Sequence, residues 1–297
     1  MRVAALLPAA TDIVIALGAG DQLVAVTHAC TLPARLSGVP RVTRSRVHSS
    51  GAAAVDAQVS ELSSAGAPLF DLDEAALVAA RPDVILTQAV CDVCAVREED
   101  ARAVASRLQP SPSVATLGAR TVEGVLLDCL TVARALDIPE EGEELVAGLR
   151  HRIGVVHAKL KAARAPRPGV LVLEWTDPPF NAGHWVPDMV RRAGGEDLFG
   201  ETGQESRRIP EGELLGRDPP MIIVAPCGYT LSETIAALEK KSPLLVDLMR
   251  GKPVWALDAN RLTSSPGPGV VHGIEVLARI IHPVLFGPAA PKDAVRL

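Results

Sequence analysis

Aromatic side chains are scarce: three Trp, one Tyr and four Phe make up 3% of 297 residues. With so few, their positions carry information, and Trp175, Trp185 and Tyr229 fall at expected strand ends or in the loops that follow. Clustered basic charge is also missing. The 30 Lys and Arg are scattered without forming a stripe, and the net charge is −5, which argues against nucleic acid as a partner. No apolar run reaches the ~18 uninterrupted residues of a membrane span. Met1–Leu7 holds one Arg and a short apolar run that breaks at Pro8, with Thr11-Asp12 close behind. It has neither the cleavage pattern of a secretory signal nor a lipobox-like cysteine. The segment is therefore expected to be a first buried strand, and the protein to be cytoplasmic. Five cysteines in a chain of this length do not make a disulfide scaffold; in a reducing compartment a C-x-x-C pair points to metal or thiol chemistry. Enzyme motifs are missing too. There is no P-loop and no nucleophile elbow, and Gly18-Ala19-Gly20-Asp21 follows a helix where a dinucleotide fingerprint would open one. The expected protein is not an enzyme.

What remains is a soluble globular composition, 48% hydrophobic and 22% charged, long enough for two domains. Short aliphatic runs alternate with helical stretches. Strands are expected at Arg2–Leu7, Leu23–Val26, Val84–Thr87 and Ser113–Leu117. Helices are expected at Thr11–Leu17, Asp56–Ala65, Asp73–Ala80 with Asp73 as N-cap, Arg97–Leu108 and Thr121–Leu136. From Glu140 to Ala163 the pattern changes. Leu145, Leu149, Ile153, Val156 and Leu160 recur at spacings of three and four, one apolar stripe on a helix about 35 Å long. Alternation then restarts, with strands at Val170–Glu174, Met221–Ala225 and Val254–Leu257 and helices at Pro187–Ala193, Leu231–Glu239 and Val270–Ile281. Arg217-Asp218-Pro219 before one strand echoes Arg81-Pro82-Asp83 before another. The expected fold is α/β: two Rossmann-like lobes with parallel-type sheets (residues 1–138 and 167–297) joined by one long helix within 139–166.

Polar, sulfur and aromatic residues gather just after the strands, where ligands bind in open parallel sheets. Thr11, Gln88 and Asn181 are candidate hydrogen-bonding groups for a ligand, and Trp175, Trp185 and Tyr229 candidate packing surfaces for a large planar one. His28, Cys30, Cys91, Cys94, His184 and Cys227 are candidate metal contacts; His28 and Cys30 with the Cys91/Cys94 pair have the composition of a Cys₃His zinc set. Cys129 falls mid-helix and reads as a small core hydrophobe. His151, His157 and His282 read as surface or capping residues.

Leu6–Thr27, the phrase Arg81-Pro82-Asp83-Val84-Ile85-Leu86 and the single long helix resemble the iron-siderophore and vitamin B12 periplasmic-binding proteins, over nearly the whole chain. Thr27-His28-Ala29-Cys30, Cys91-Asp92-Val93-Cys94-Ala95-Val96 and the block from Glu174 to Pro187 resemble a soluble branch labelled cobalamin-binding. The resemblance implies a small-molecule binding protein with its site in a cleft between lobes, a cobalamin or related metal chelate as ligand, and an ABC permease as partner. Two departures from the transport pattern stand against that partner: no export signal is seen, and cysteines fall at the cleft. The alternatives are a zinc-binding protein using the His/Cys cluster and a cleft enzyme with Cys91 or Cys94 as thiolate nucleophile.

Overall fold

The computed structural model describes residues 1–89, 96 and 98–297. They divide into two compact units: residues 1–50, 54–119 and 123–148 form the first, and 51–53, 120–122 and 149–297 the second.

In the first unit, β1 (Val3–Ala5), β2 (Leu23–Val26), β5 (Val84–Gln88) and β6 (Ser113–Leu117) form one parallel sheet in the order β2-β1-β5-β6. The central strands are buried throughout, which is why they read as unbroken apolar runs. Pro8 opens α1 (Pro8–Ala16), three residues earlier than expected, because proline's missing N–H and fixed φ suit the first helical position. That shortens β1 and moves Thr11 inside the helix, where it is fully buried. Helices α3 (Glu74–Ala80), α4 (Glu98–Ala105) and α5 (Val122–Ala135) alternate with the strands, and Asp73 caps α3 as expected, accepting from Ala76 N–H at 2.9 Å. Helix α2 (Ala52–Ser64) lies between β3 (Thr43–Ser45) and β4 (Phe70–Leu72), which pair as an antiparallel ribbon. Three-residue strands carry too little alternation to stand out in a sequence.

The repeated Arg/Pro/Asp phrase marks the same event twice. Helix α3 ends at Arg81 (φ 43°), and α8 (Glu211–Arg217) at Asp218 (φ 42°). Each left-handed residue precedes a proline that cannot continue a helix. Asp83 then accepts from Arg2 N–H at 2.7 Å and binds β5 to the start of β1.

The second unit holds β7 (Gly169–Thr176), β8 (Pro179–Asn181), β9 (Glu196–Asp197), β10 (Ile222–Val224), β11 (Val254–Leu257) and β12 (Ala294–Arg296). Its sheet runs β12-β11-β10-β7-β8, with β9 also on β7. β7, β9, β10 and β11 are parallel, while β8 and β12 are antiparallel edges not foreseen in the sequence. Leu171, Leu173, Ile222, Val224 and Ala256 form its buried centre, against Leu214, Leu238 and Leu245 from α8, α9 (Leu231–Glu239) and α10 (Pro243–Met249). The remaining helices are α7 (Val186–Arg192), α11 (Ala259–Leu262), α12 (Gly269–Ile281) and α13 (Pro283–Phe286).

Numbered by order in the chain, the parallel strands of both sheets lie 2-1-3-4. The strand order therefore reverses at β1/β5 in one sheet and at β7/β10 in the other, the positions where such sheets hold ligands beyond their carboxyl ends.

Helix α6 (Pro139–Ala162) confirms the long stripe, with Val146, Leu149, Ile153 and Val156 buried, and the division between units falls within it. Gly154 sits on its exposed side with nothing near where a Cβ would be. Gly154→Ala is expected to stabilise the protein by about 0.5–1 kcal/mol in urea unfolding, because alanine loses less backbone freedom on folding. Among the described residues no helix is long and apolar enough to cross a membrane.

Candidate ligand site

In the first unit the residues following β2 fold into a tight, polar turn. Arg41, carried by the segment paired with Val26, directs one guanidinium nitrogen at three carbonyls: Thr27 at 3.0 Å, His28 at 2.8 Å and Cys30 at 2.9 Å. The Thr27 carbonyl also accepts from Cys30 N–H at 3.3 Å, so the guanidinium ties together the acceptors of the turn. Thr43 sits in the buried start of β3. Its hydroxyl lies 3.0 Å from His28 N–H and 2.7 Å from His28 Nδ1. The His28 ring also meets Phe70 of β4 at 5.4 Å between centroids. His28, Leu6, Thr27, Thr43, Phe70 and Val96 enclose most of a pocket of about 20 Å³, room for one water-sized group. Burial, then the nearby Arg41 charge, lowers the His28 pKa, so the ring is neutral at pH 7.

Thr11, expected to bond a ligand, and Cys30, expected to contact a metal, instead meet each other. Their side chains meet at 3.1 Å, and both are buried. Burial raises the Cys30 thiol, only partly offset by its hydrogen bonds with Thr11 and Thr27. Such a cysteine stays protonated, the opposite of a metal-ready or nucleophilic thiolate. Cys129 is likewise a core residue, its thiol pushed up to about 12 by burial and by Asp128. Gln88 ends β5 at the reversal point and is 8% exposed. Cys91 and Cys94 lie outside the described residues. Among the described residues no group of three or more His, Cys, Asp or Glu is placed to hold a metal ion.

In the second unit, Trp175 near the end of β7 and Tyr229 beyond β10 stand at the reversal point. Their rings pack edge to face at 5.4 Å and 77°. Trp175 donates its indole N–H to the Ala52 carbonyl at 3.0 Å, so its ring face, not its donor, is what a ligand could use. Tyr229 is half-buried; burial and then Glu233 raise its pKa, keeping the phenol protonated. Cys227 is exposed on the same turn, where its N–H donates to the Glu174 carbonyl at 3.1 Å. The neighbouring Gly228 (φ 80°) donates to Ser264 Oγ at 2.8 Å.

Three expected contacts are otherwise engaged. Asn181 is buried with both ends of its amide in use: Nδ2 donates to Phe199 O at 2.7 Å, and Oδ1 accepts from Arg207 N–H at 2.6 Å. It orders the 199–207 segment and offers a ligand nothing. Trp185 precedes α7 and donates to the buried Thr263 carbonyl at 2.8 Å, an anchoring role. His184 has φ 51°, and its backbone is clasped by Gln204 O at 2.6 Å and Gly203 N–H at 2.8 Å. Its Nε2 is buried and has no hydrogen-bond partner among the described residues. Burial and Arg120 lower its pKa, against an opposing pull from Glu205. His282, read as a surface or capping residue, ends α12 but is buried and bonds Gly194 O at 3.1 Å.

The residues missed in the sequence are Arg41, Thr43 and Phe70. The one available signal for Arg41 and Thr43 was the polar/β-branched alternation of Arg41-Val42-Thr43-Arg44-Ser45, and Phe70 had none.

Two units, each a 2-1-3-4 sheet with its specialised side chains beyond the carboxyl ends, define a protein of the substrate-binding class. Residues 3–259 match the family described as periplasmic binding protein, and the chain belongs to that family. Curated proteins give no match. Among solved structures, the chain is similar to a periplasmic heme-binding protein from Pseudomonas aeruginosa, with 22% identity and a TM-score of 0.72, covering 100% of this chain and 99% of that one. The heme-binding protein BhuT in complex with two hemes is 22% identical with a TM-score of 0.70, covering 96% and 98%. The vitamin B12-binding protein BtuF of Vibrio cholerae is 18% identical with a TM-score of 0.65, covering 94% and 96%. The resemblance drawn from the opening residues and the Arg81-Pro82-Asp83 phrase thus holds at the level of family and fold.

Proposed function

We propose that this chain binds a metal-containing tetrapyrrole of the heme or cobalamin class at the carboxyl end of its second sheet, and that an ABC-type permease is the partner this reading implies. The observation that carries it is the Trp175–Tyr229 pair, two of only four Trp or Tyr side chains in the chain, packed together at the strand-order reversal. Aromatic faces suit flat macrocycles, and the pair supplies area at little cost in side-chain freedom. The similar proteins named above as binding heme or vitamin B12 support the same ligand class. The reading needs no metal ligand from Cys30, whose thiol is buried.

Titration of the full-length protein with hemin and with cyanocobalamin tests this. One of them is expected to give a saturable visible-band change, and Trp175→Ala is expected to weaken it about tenfold or more while far-UV circular dichroism is unchanged. Silence with both chelates sinks the proposal. Delivery to a permease requires the chain outside the cytoplasmic membrane, whereas the cytoplasmic location proposed from its opening residues would make it a binding protein without that partner; fractionation of the native host into periplasm and cytosol decides between the two.

A further inference from the structure

His28 entered as a candidate metal ligand, and its surroundings assign it a different task. Thr43 Oγ1 lies 3.0 Å from His28 backbone N–H and 2.7 Å from His28 Nδ1. The backbone N–H can only donate, so it takes one lone pair of the hydroxyl oxygen. The hydroxyl has one proton of its own. Thr43 is 3% exposed, and among the described residues the only acceptor for that proton is Nδ1. If Nδ1 carried the ring proton, the Thr43 O–H would be buried without a partner. If Nδ1 is bare, the Thr43 hydroxyl, the His28 backbone N–H and Nδ1 are all satisfied.

We infer that Thr43 fixes His28 as the Nε2–H tautomer, making it a hydrogen-bond donor to an acceptor oxygen entering this pocket of the first unit rather than a metal ligand. A metal needs the bare nitrogen of a neutral imidazole, and the only bare nitrogen here is spent on Thr43. Nε2 has no hydrogen-bond partner among the described residues, and the ring lines a pocket of about 20 Å³. That space fits one polar group, such as a carboxylate or amide oxygen, against the apolar walls of Leu6, Phe70 and Val96. Arg41 holds the turn in place through the carbonyls of Thr27, His28 and Cys30, so the donor is positioned before any ligand arrives. The tautomer does not rest on the ligand class proposed above.

Long-range ¹H–¹⁵N spectra of the ¹⁵N-histidine-labelled full chain at pH 8, with His28 assigned by its loss in His28→Gln, read the tautomer directly. Nε2–H is expected to dominate in the wild type by about tenfold, one hydrogen bond's worth of preference. Thr43→Val, close in shape but lacking the hydroxyl, is expected to remove that preference, and Thr43→Ser to restore it. A proton on Nδ1 in the wild type, or a Thr43→Val spectrum like the wild type, overturns the inference whether or not any chelate binds. Titration of the wild type with acetate, a small oxygen acceptor, is expected to shift the His28 Nε2–H resonance saturably; a resonance that does not move would overturn the donor role. If hemin and cyanocobalamin both fail to bind while Nε2–H is in place, the functional reading falls and the tautomer stands.

Discussion

Gly183→Ala is expected to be among the most damaging single-methyl changes in the second unit. A Cβ at this position would lie 2.3 Å from Ser206 N, 2.8 Å from the Glu205 carbonyl carbon and 3.0 Å from Gln204 O. All three are backbone atoms, so no side chain can rotate away. The crossing is also pinned on both sides: Gly183 N–H donates to Glu174 Oε2 at 2.9 Å, and His184 N–H to Gln204 O at 2.6 Å. Relief requires one segment to slide off the other and break those bonds. We expect a loss of roughly 3 kcal/mol, at the upper end for overpacking, and a fall in Tm of about 10 °C on the scaling for units of this size. Gly154→Ala, which meets nothing, supplies the contrast within the same unit. A Gly183→Ala protein as stable as the wild type in urea would show that the 183–184 and 203–206 segments are not held together as described. Because Trp185 is anchored to Thr263 two residues on, its fluorescence reports whether the damage reaches the candidate site.

How far the sequence was legible follows from where the physics is local. The long stripe of α6, the Asp73 cap and the buried β5 run are set by periodicity and by neighbours within a few positions, and they appear where expected. The opening phrase misled by three residues because Thr11 resembles an N-cap, whereas Pro8 takes the first helical position. The edges β8 and β12 were invisible for another reason: each is a three-residue strand defined by the partner it finds. The site divides in the same way. That sulfur, imidazole and indole groups follow the strands was readable. Which of their atoms remain free was not, since that depends on distant partners: Ala52 for Trp175, Phe199 and Arg207 for Asn181, and Thr43 for His28. A polar residue type in a loop gives candidacy. The partner, often far along the chain, decides between holding the loop and holding a ligand.

Asp197→Asn is expected to stabilise the protein at pH 8 and to do nothing at pH 4. Asp197 Oδ1 accepts from Phe199 N–H at 3.0 Å and Gly200 N–H at 2.8 Å, while Oδ2 is buried without a partner among the described residues. Burial raises its pKa to about 6 from 3.8, and the two backbone donors only partly oppose this. The native state therefore holds its proton where the unfolded chain has already released it. The resulting stabilisation is complete below about pH 3.8 and is lost as pH rises through about 6. At 1.36 kcal/mol per pKa unit, the ionised group costs the native state about 3 kcal/mol above that window. Asparagine keeps an oxygen for the two backbone donors and replaces the orphaned carboxylate oxygen with an uncharged group. The wild-type and variant urea midpoints should coincide at pH 4 and separate progressively up to pH 7, with the variant higher. Other titrating carboxylates, Asp128 among them, are common to both proteins and cancel in the difference. A difference that does not change with pH would mean that Asp197 is ionised in the folded protein throughout, and that the buried Oδ2 has found a partner in solution.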